Sequence, residues 1–463
     1  MTANDQDRPG TVNLKMGCKT RVPSKRYYDQ EFFDQERDHL WSKVWQMACR
    51  LEEIRDVGDF VEYKIFDQSV IIVRSKSGVK AFHNACRHRG VKLAVDRGNC
   101  RTKGFICPFH GWRWNIEGEN TFVHAKKIFD EGDLRQADIN LVPCRIELWG
   151  GCVFVNFDGN APPLLETLGP VAQRLSNRNV EHLKMEWWYQ TVLPTNWKLA
   201  MEAFMESYHV MRTHPQLYAP DRKMYGADLN AERAQAPSPL APPSAKSFIE
   251  ASIKSLELLG EGMDGMVHKD ELAIARELSS MELPEDIAAA AAVFFRKFRE
   301  EITNRGRARG LPVPDLNELE TVQSFNAVEY LFPNYFLLPA FSAMASYRIR
   351  PLTPETCLFE IWALAFLPED ENREPVTPKL LPYDSEEFPE IPRQDYANLP
   401  SQQQGLHTQG FEFMRLSSKF EGMISNYQRL IDSYIAGHDM ELLAKASQIV
   451  SGGIDHPIVD IGF

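Results

Sequence analysis

Two short segments constrain this chain more than any others: NACRHRG at residues 84–90 and FICPFHGWRW at 105–114. The first carries Cys86 and His88 as C-x-H. The second carries Cys107 and His110 as C-x-x-H, and eighteen residues separate His88 from Cys107. Each segment therefore offers one thiolate and one imidazole. A structural zinc site more often takes two cysteines from one loop and two histidines from the other. Mixed pairs suit a binuclear [2Fe–2S] cluster, in which one iron takes both cysteines and the other both histidines. A zinc ribbon, or a chance pair of cysteines in a β-domain, is the competing reading.

The setting of the two segments is β-rich. GDFVEYKIFDQSVIIVRSKSGVKAFHNAC predicts strands at 60–65, 69–75 and 79–83, with SKSG as a turn. FICPFHGWRWNIEGENTF and LWGGCVFVNFDG add shorter strands between glycine turns. Gly90 and Gly111 follow the two histidines, where the backbone is expected to pass close to a cluster. Pro108 stiffens the second loop.

Composition narrows the classes of function. A net charge of −12 argues against nucleic acid as the main partner. The longest apolar run, Ile287 to Phe295, has nine residues, whereas a membrane span needs about 20. The opening MTANDQDRPG is polar and lacks a secretory pattern. The other six cysteines (Cys18, Cys49, Cys100, Cys144, Cys152 and Cys357) have no ligand spacing and read as core or surface residues rather than a disulfide framework. A reducing cytoplasm is the expected location.

A second cluster of candidates lies in PTNWKLAMEAFMESYHVMRTHPQL. It predicts a helix from Trp197 to Val210, with Asn196 able to cap it and Pro215 just beyond it. His209 and His214 are five apart, about 140° around a regular helix, so they meet on one ion only if the helix unwinds between them. The H-E-x-x-H pattern of zinc proteases is absent. Two histidines plus a carboxylate from elsewhere make the facial triad of oxygen-activating iron(II).

In this order, the two Cys/His segments and the His209/His214 stretch resemble the catalytic α-subunits of Rieske non-haem iron ring-hydroxylating oxygenases, over most of the chain from about Tyr28 onward. The resemblance implies an α+β chain: an all-β Rieske iron–sulfur domain plus a helix-grip catalytic domain, an antiparallel sheet with long helices. It implies a [2Fe–2S] cluster on Cys86, His88, Cys107 and His110, and a mononuclear Fe(II) on His209 and His214. The third ligand is expected at Asp395, ahead of the Gln403, Gly405, Leu406 element, with Asp384, Glu387 and Glu390 as nearby competitors. Glu206 stands where the family usually has an aspartate that links an iron-bound histidine to a cluster histidine of the neighbouring subunit. The extra methylene adds about 1.5 Å of reach. Some members acting on quaternary ammonium substrates resemble this chain in carrying glutamate there. A solvated helix acid is the alternative reading of Glu206.

The implied function is the oxygenase component of a multicomponent enzyme. It would use O2 and electrons from NAD(P)H to dihydroxylate or monooxygenate an apolar, aromatic substrate. Demethylation or cleavage of a quaternary ammonium or methoxy substrate is the alternative, and an electron-transfer protein without a working iron site is the second. The chain shows neither a dinucleotide-binding glycine motif nor a plant-type ferredoxin cysteine run, so a separate reductase, ferredoxin or both are expected partners. Arg87, Arg89, Arg97, Arg101 and Lys103 could dock an acidic ferredoxin, or be ordinary solvated charges. The resemblance also implies a ring-shaped homotrimer, possible also with a small β subunit.

The expected organisation is an N-terminal helical segment at 1–49, a Rieske domain at 50–158 and a catalytic domain at 159–463. Residues 27–50 read as an amphipathic helix with an aromatic face, and DGNAPPLLETLG as the boundary after the Rieske domain. EWWYQTVL, FNAVEYLFPNYFLLPA, MASYRIRPLT and CLFEIWALAFLP read as strands, and SKFEGMISNYQRLIDSYI as a closing helix. The stretch 222–320 contains the proline-rich APSPLAPPSAKS and helical patterns near 247–260 and 285–306, and reads as a lid or a subunit-contact arm. Asn196 and Tyr208 fit motif positions but equally a helix cap and a packed aromatic, and Glu202 is either near the iron or exposed.

Overall fold

The computed structural model describes residues 14–130, 132–218, 244–368, 374–451 and 453–463. It is built around two groups of mainly antiparallel strands, one carrying the Cys/His loops and one backing the His209/His214 segment.

The first group centres on a four-stranded sheet ordered Gly78–His83, Gln68–Ser75, Asp59–Ile65, Arg97–Asn99. Val70, Ile71, Ile72 and Val73 are all fully buried, so this strand is covered on both faces. A small three-stranded sheet, Phe105–Ile106, Arg113–Trp114 and Asn120–Phe122, packs nearby. Phe60 on the first sheet meets Phe105 on the second edge to face at 5.8 Å.

The second group is a six-stranded sheet ordered Glu329–Leu331, Tyr335–Pro339, Met344–Thr353, Thr356–Ala365, Lys184–Leu193, Lys379–Leu380. A buried cross-strand pair anchors it: Arg348 faces Glu360 and donates to both its oxygens, at 2.7 and 2.8 Å. The remaining guanidinium nitrogen donates to the carbonyls of Met47 and Ala48, at 3.1 and 2.5 Å. That one side chain ties the large sheet to a third, three-stranded sheet of Arg145–Trp149, Cys152–Asn156 and Gln46–Arg50.

This last sheet corrects the expected helix over 27–50. The segment is a short helix Gln30–Gln35, a wider turn of helix over Glu36–Trp41, and then the strand Gln46–Arg50. Every residue of that strand is buried, and a sheet partner for its backbone outweighs helical periodicity. The expected closing helix also needs revising. Gly422–Ile435 is followed by a further helix, Met440–Val450, joined through Gly437 in the left-handed region.

The predicted helices of the 222–320 stretch are present as Ala245–Met263 and Ile287–Ala308, with Lys269–Glu277 between them. Most of the proline-rich stretch lies outside the described residues. Helix Ala245–Met263 packs against Glu390–Gly405, the helix that carries Asp395, and the contact is close. A Cβ at Gly262 would lie 2.8 Å from Ile391 Cδ1.

Candidate metal centres

The two Cys/His loops close in the same way. In the first, the Cys86 N–H donates to Val91 O and the Gly90 N–H returns to Cys86 O, at 2.8 and 2.9 Å. In the second, the Cys107 N–H donates to Trp112 O and the Gly111 N–H returns to Cys107 O, at 2.9 and 3.0 Å. Gly90 and Gly111 have φ of 78° and 71°, a region costly for residues with a side chain. The loops face each other: the His88 and His110 rings are 4.6 Å apart, and Trp112 stacks on His88 at 5.1 Å.

These residues suit a cluster. Nδ1 of His88 and Nδ1 of His110 are both buried and have no hydrogen-bond partner, so each ring keeps one nitrogen free for a metal. Burial, then the neighbouring His110 and Arg89, push His88 below the ordinary imidazole range, favouring the neutral, ligating form. Cys86 and Cys107 are buried side by side. Burial raises the Cys86 thiol, and Cys107 adds to the rise, so ionising both calls for positive charge between them.

At the second centre the expected helix is shorter than its pattern. Asn196 caps it through Lys198 N at 2.9 Å, and it ends at Glu202 rather than Val210. The next turns tighten through Phe204 N–H to Met201 O and Met205 N–H to Glu202 O, at 3.1 and 3.0 Å. Asp455 then takes both the N–H and the hydroxyl of Ser207, each at 2.7 Å, which holds the chain out of the helix. A new short helix starts at Val210. The unwinding brings the two histidines together, their rings 5.4 Å apart.

Asp395 meets them. Its Oδ1 lies 3.0 Å from His214 Nε2 and 3.8 Å from His209 Nε2. The ligand atoms of His209, His214 and Asp395 all lie within 4.8 Å of one another. The competing acids Asp384, Glu387 and Glu390 are not in this group, and Glu387 pairs with Lys379. Both rings have their other nitrogen occupied: His209 Nδ1 by Glu206 Oε1 at 2.7 Å, His214 Nδ1 by Gln394 Oε1 at 2.6 Å. Burial opposes protonation of His209, yet Glu206 outweighs it and raises the ring's basicity. The set fits a mononuclear iron(II) in its donor chemistry: two imidazole Nε2 atoms and one carboxylate converging from three sides.

Sequence reasoning missed Gln394, which lies directly before Asp395. Gln216 donates to the same Gln394 oxygen at 2.9 Å and fixes its orientation. It also missed Tyr27 and Gln428, which hold Glu202. Glu202 is buried and lines the same cavity as His209 and Asp395; burial pushes it up to about 7, although Gln428 and Tyr27 hydrogen-bond it. Tyr208 is 65% exposed, so it is not the packed aromatic its position allowed. Arg87, Arg89, Arg101 and Lys103 are exposed beside the cluster loops, whereas Arg97 pairs with Glu53 and covers Trp188.

A cavity of about 520 Å³ opens onto Glu206, His209 and Asp395. In the buried core, an aromatic wall runs from Phe204 to Phe336 and Tyr347 (4.6 and 5.1 Å), then through Phe359 to Tyr396 on the helix of Asp395 (5.8 and 5.1 Å).

Residues 178–437, more than half of the chain, match the family model described as the ring hydroxylating alpha subunit (catalytic domain). The chain belongs to this family. Residues 44–129 match the Rieske [2Fe-2S] domain. Among curated members, the chain is 29% identical over 197 residues to the carnitine monooxygenase oxygenase subunit of Escherichia coli (strain K12), covering 42% of this chain and 52% of that one. It is 33% identical over 192 residues to the 2-aminobenzenesulfonate 2,3-dioxygenase subunit alpha of Alcaligenes sp, covering 41% and 48%. The match thus spans about half the length of these relatives. The fold is that of solved ring-hydroxylating subunits. Naphthalene 1,2-dioxygenase with indole bound superposes at a TM-score of 0.64 with 20% identity, covering 95% of this chain and 98% of that one. A quaternary ammonium Rieske monooxygenase with L-carnitine superposes at 0.56 with 16% identity, covering 92% and 99%. No helix among the described residues is long and apolar enough to cross a membrane.

Proposed function

We propose that this chain is the oxygenase component of a multicomponent Rieske non-haem iron oxygenase, hydroxylating an apolar, aromatic substrate with O2 and electrons derived from NAD(P)H. The observation that carries the reading is the meeting of His209, His214 and Asp395 within 4.8 Å beside an open cavity. Cys86, His88, Cys107 and His110 would hold the [2Fe–2S] cluster, the cysteines through their thiolates and the histidines through the free Nδ1 atoms. His209, His214 and Asp395 hold the iron. With both groups bound, the cluster supplies electrons and the iron supplies dioxygen activation.

The chain's own residues do the rest. Gln394 and Glu206 fix the two rings with their Nε2 atoms pointing inward. The aromatic wall keeps water from one side of the centre, and Leu199, Leu399, Leu406 and Phe411 line the cavity with apolar surface for a substrate. The Glu206 carboxylate is largely buried and reaches the cavity beside His209. Inter-subunit electron transfer is described for a related quaternary ammonium Rieske monooxygenase, and a ring-shaped homotrimer would place a neighbour's cluster histidine at Glu206. Separate electron carriers then dock on the side of Arg87, Arg89, Arg101 and Lys103. The six cysteines outside the cluster loops, unpaired in the structure, accord with a reducing cytoplasm. The helix Ala245–Met263 backs the helix that carries Asp395, and the close approach of Gly262 to Ile391 supports a wall role for this part of the chain.

A second reading, dealkylation of a quaternary ammonium substrate, is favoured by Glu206 and by relatives named for carnitine and glycine betaine. An aromatic face such as that of Phe411, which lines the cavity, would hold such a cation as well as an arene. Iron and acid-labile sulfide per chain test the shared part: about three irons and two sulfides are expected, and a stable value of two irons would favour an electron carrier. Substrate-dependent O2 uptake then separates the two substrate classes. Diol or phenol from arenes supports the first, and aldehyde from N-methyl groups the second.

A further inference from the structure

A second cavity, of about 380 Å³, lies among the helices Ala245–Met263, Ile287–Ala308 and Leu316–Val322 and the sheet edge at Ala327 and Ala340. None of Glu206, His209, His214 and Asp395 lines it. Its walls are mainly apolar, with Leu256, Leu259, Met266, Phe295, Leu319 and Phe341 prominent. Three charged side chains reach it: Arg178, Arg299 and Glu320.

Two of the three are committed to each other. Arg299 donates to Asn317 Oδ1 at 2.9 Å and lies 3.8 Å from Glu320, whose side chain is 56% exposed at the rim. Arg178 differs. Its one hydrogen bond among the described residues runs to Phe341 O at 3.1 Å, and no carboxylate there lies within ion-pairing distance of it. The acids that could serve are already taken: Glu329 by Arg174 through both oxygens, and Glu271 by Ser342 and the His268 N–H. Burial accordingly pushes the Arg178 guanidinium below its ordinary range, with Glu329, Glu320 and Glu271 only partly offsetting this. A half-buried guanidinium with four N–H donors not taken by the described residues, on the wall of an apolar cavity, is placed to pair with an anion.

We propose that this cavity binds a small amphipathic organic anion, a carboxylate or sulfonate on an aromatic or short aliphatic body, with its head group on Arg178. The volume equals that of about a dozen water molecules at roughly 30 Å³ each, room for a ligand of at least that many heavy atoms. The guanidinium pairs with the head group, and the leucine and phenylalanine walls cover the body. This site is separate from the iron centre and does not depend on the oxygenase reading.

The test is calorimetric titration of the full-length, metal-loaded protein with 4-phenylbutyrate and with its neutral counterpart, 4-phenylbutyramide. One carboxylate per chain is expected to bind, with the amide at least about tenfold weaker, the loss that follows when a charged hydrogen bond is removed. Arg178→Gln should weaken the carboxylate by a similar factor and leave the amide unchanged. Leu259→Trp, which fills the cavity, should remove both. His214→Ala, at the iron centre, should bind the carboxylate like the parent. Equal binding of acid and amide overturns the proposal, and this comparison needs no variant to fold. So does the absence of saturable binding, or a loss of binding in His214→Ala that Leu259→Trp does not share.

Discussion

The carboxylate of Glu206 grips His209 twice, through Oε1 to the ring Nδ1 at 2.7 Å and through Oε2 to the backbone N–H at 2.9 Å. The glutamate thus sets the ring's rotation and starts the short helix that leads to His214. An aspartate at this position would have to give up one of the two contacts or draw the backbone closer. Glu206→Gln keeps an acceptor for the ring but removes the charge. It is expected to retain iron and lower turnover by about 10- to 100-fold, the range for an outer partner of a ligating histidine. Single-turnover reduction and iron content, measured together, check this. Loss of iron in step with turnover would mean that Glu206 serves the metal's retention rather than electron supply.

Gln394 has no charge to contribute, so its effect should be on the metal alone. Gln394→Leu frees Nδ1 of His214 and leaves Gln216 without its partner. Iron is expected to leave to a chelator about 10- to 100-fold more readily, with the visible spectrum of the cluster unchanged.

Asp395→Ala removes the single carboxylate of the triad. One iron per chain should be lost while the sulfide content stays constant, because the cluster loops lie on another sheet. Adding Fe(II) should restore the parent but not the variant. Restoration in the variant would point to a different third ligand.

Tyr347 and Tyr396 face the same region from the sheet and from the helix of Asp395, and both hydroxyls are buried without a partner. An unsatisfied buried hydroxyl costs about 1–3 kcal/mol. Tyr347→Phe is therefore expected to raise the thermal midpoint of the substrate-free protein rather than lower it. Differential scanning calorimetry decides the sign.

The β-sheet that carries the first Cys/His loop should show a distinct acid sensitivity through Glu62. Burial opposes its charge, but Ser69, the Asp96 N–H, Lys64 and Lys92 outweigh this and hold the carboxyl at about 2. A folded value below the ordinary 4.5 means that the ionised group stabilises the fold above about 4.5 and that this contribution is lost as pH falls towards 2. Lys64 and Lys92 are half exposed, at 47% and 52%, so screening reduces the contribution to about 1–2 kcal/mol. Glu62→Gln should be destabilised by that amount at neutral pH, and denaturant titrations should show the gap from the parent closing only on the acid side.

How far the sequence could be read depended on how local each feature is. The Cys86/His88 and Cys107/His110 loops were legible because each is closed by its own turn, with the glycines four residues after the cysteines. The strands Asp59–Ile65, Gln68–Ser75 and Gly78–His83 were equally clear, since their partners adjoin them in sequence. The strand Gln46–Arg50 was hidden because its partner is a hundred residues away and its apolar residues also satisfy a helical period. The end of the helix at Glu202 was hidden for a related reason: residues 203–208 are good helix formers, and what unwinds them is Asp455. Gln394 carried no signal at all, since nothing distinguishes a glutamine that orients a histidine from one that faces solvent.

The hold of Asp455 on Ser207 spans 248 residues, and that of Gln394 on His214 spans 180. The two histidines leave the ribosome together, but the geometry that joins them is not complete until nearly the whole chain has followed. A partly synthesised chain therefore offers iron only a pair of mobile imidazoles, a weak and unselective ligand. Iron cannot template this fold early, as zinc does in small fingers. Its capture instead marks the moment at which the distant end of the chain has docked, and an enzyme holding iron has already passed that check on its own folding.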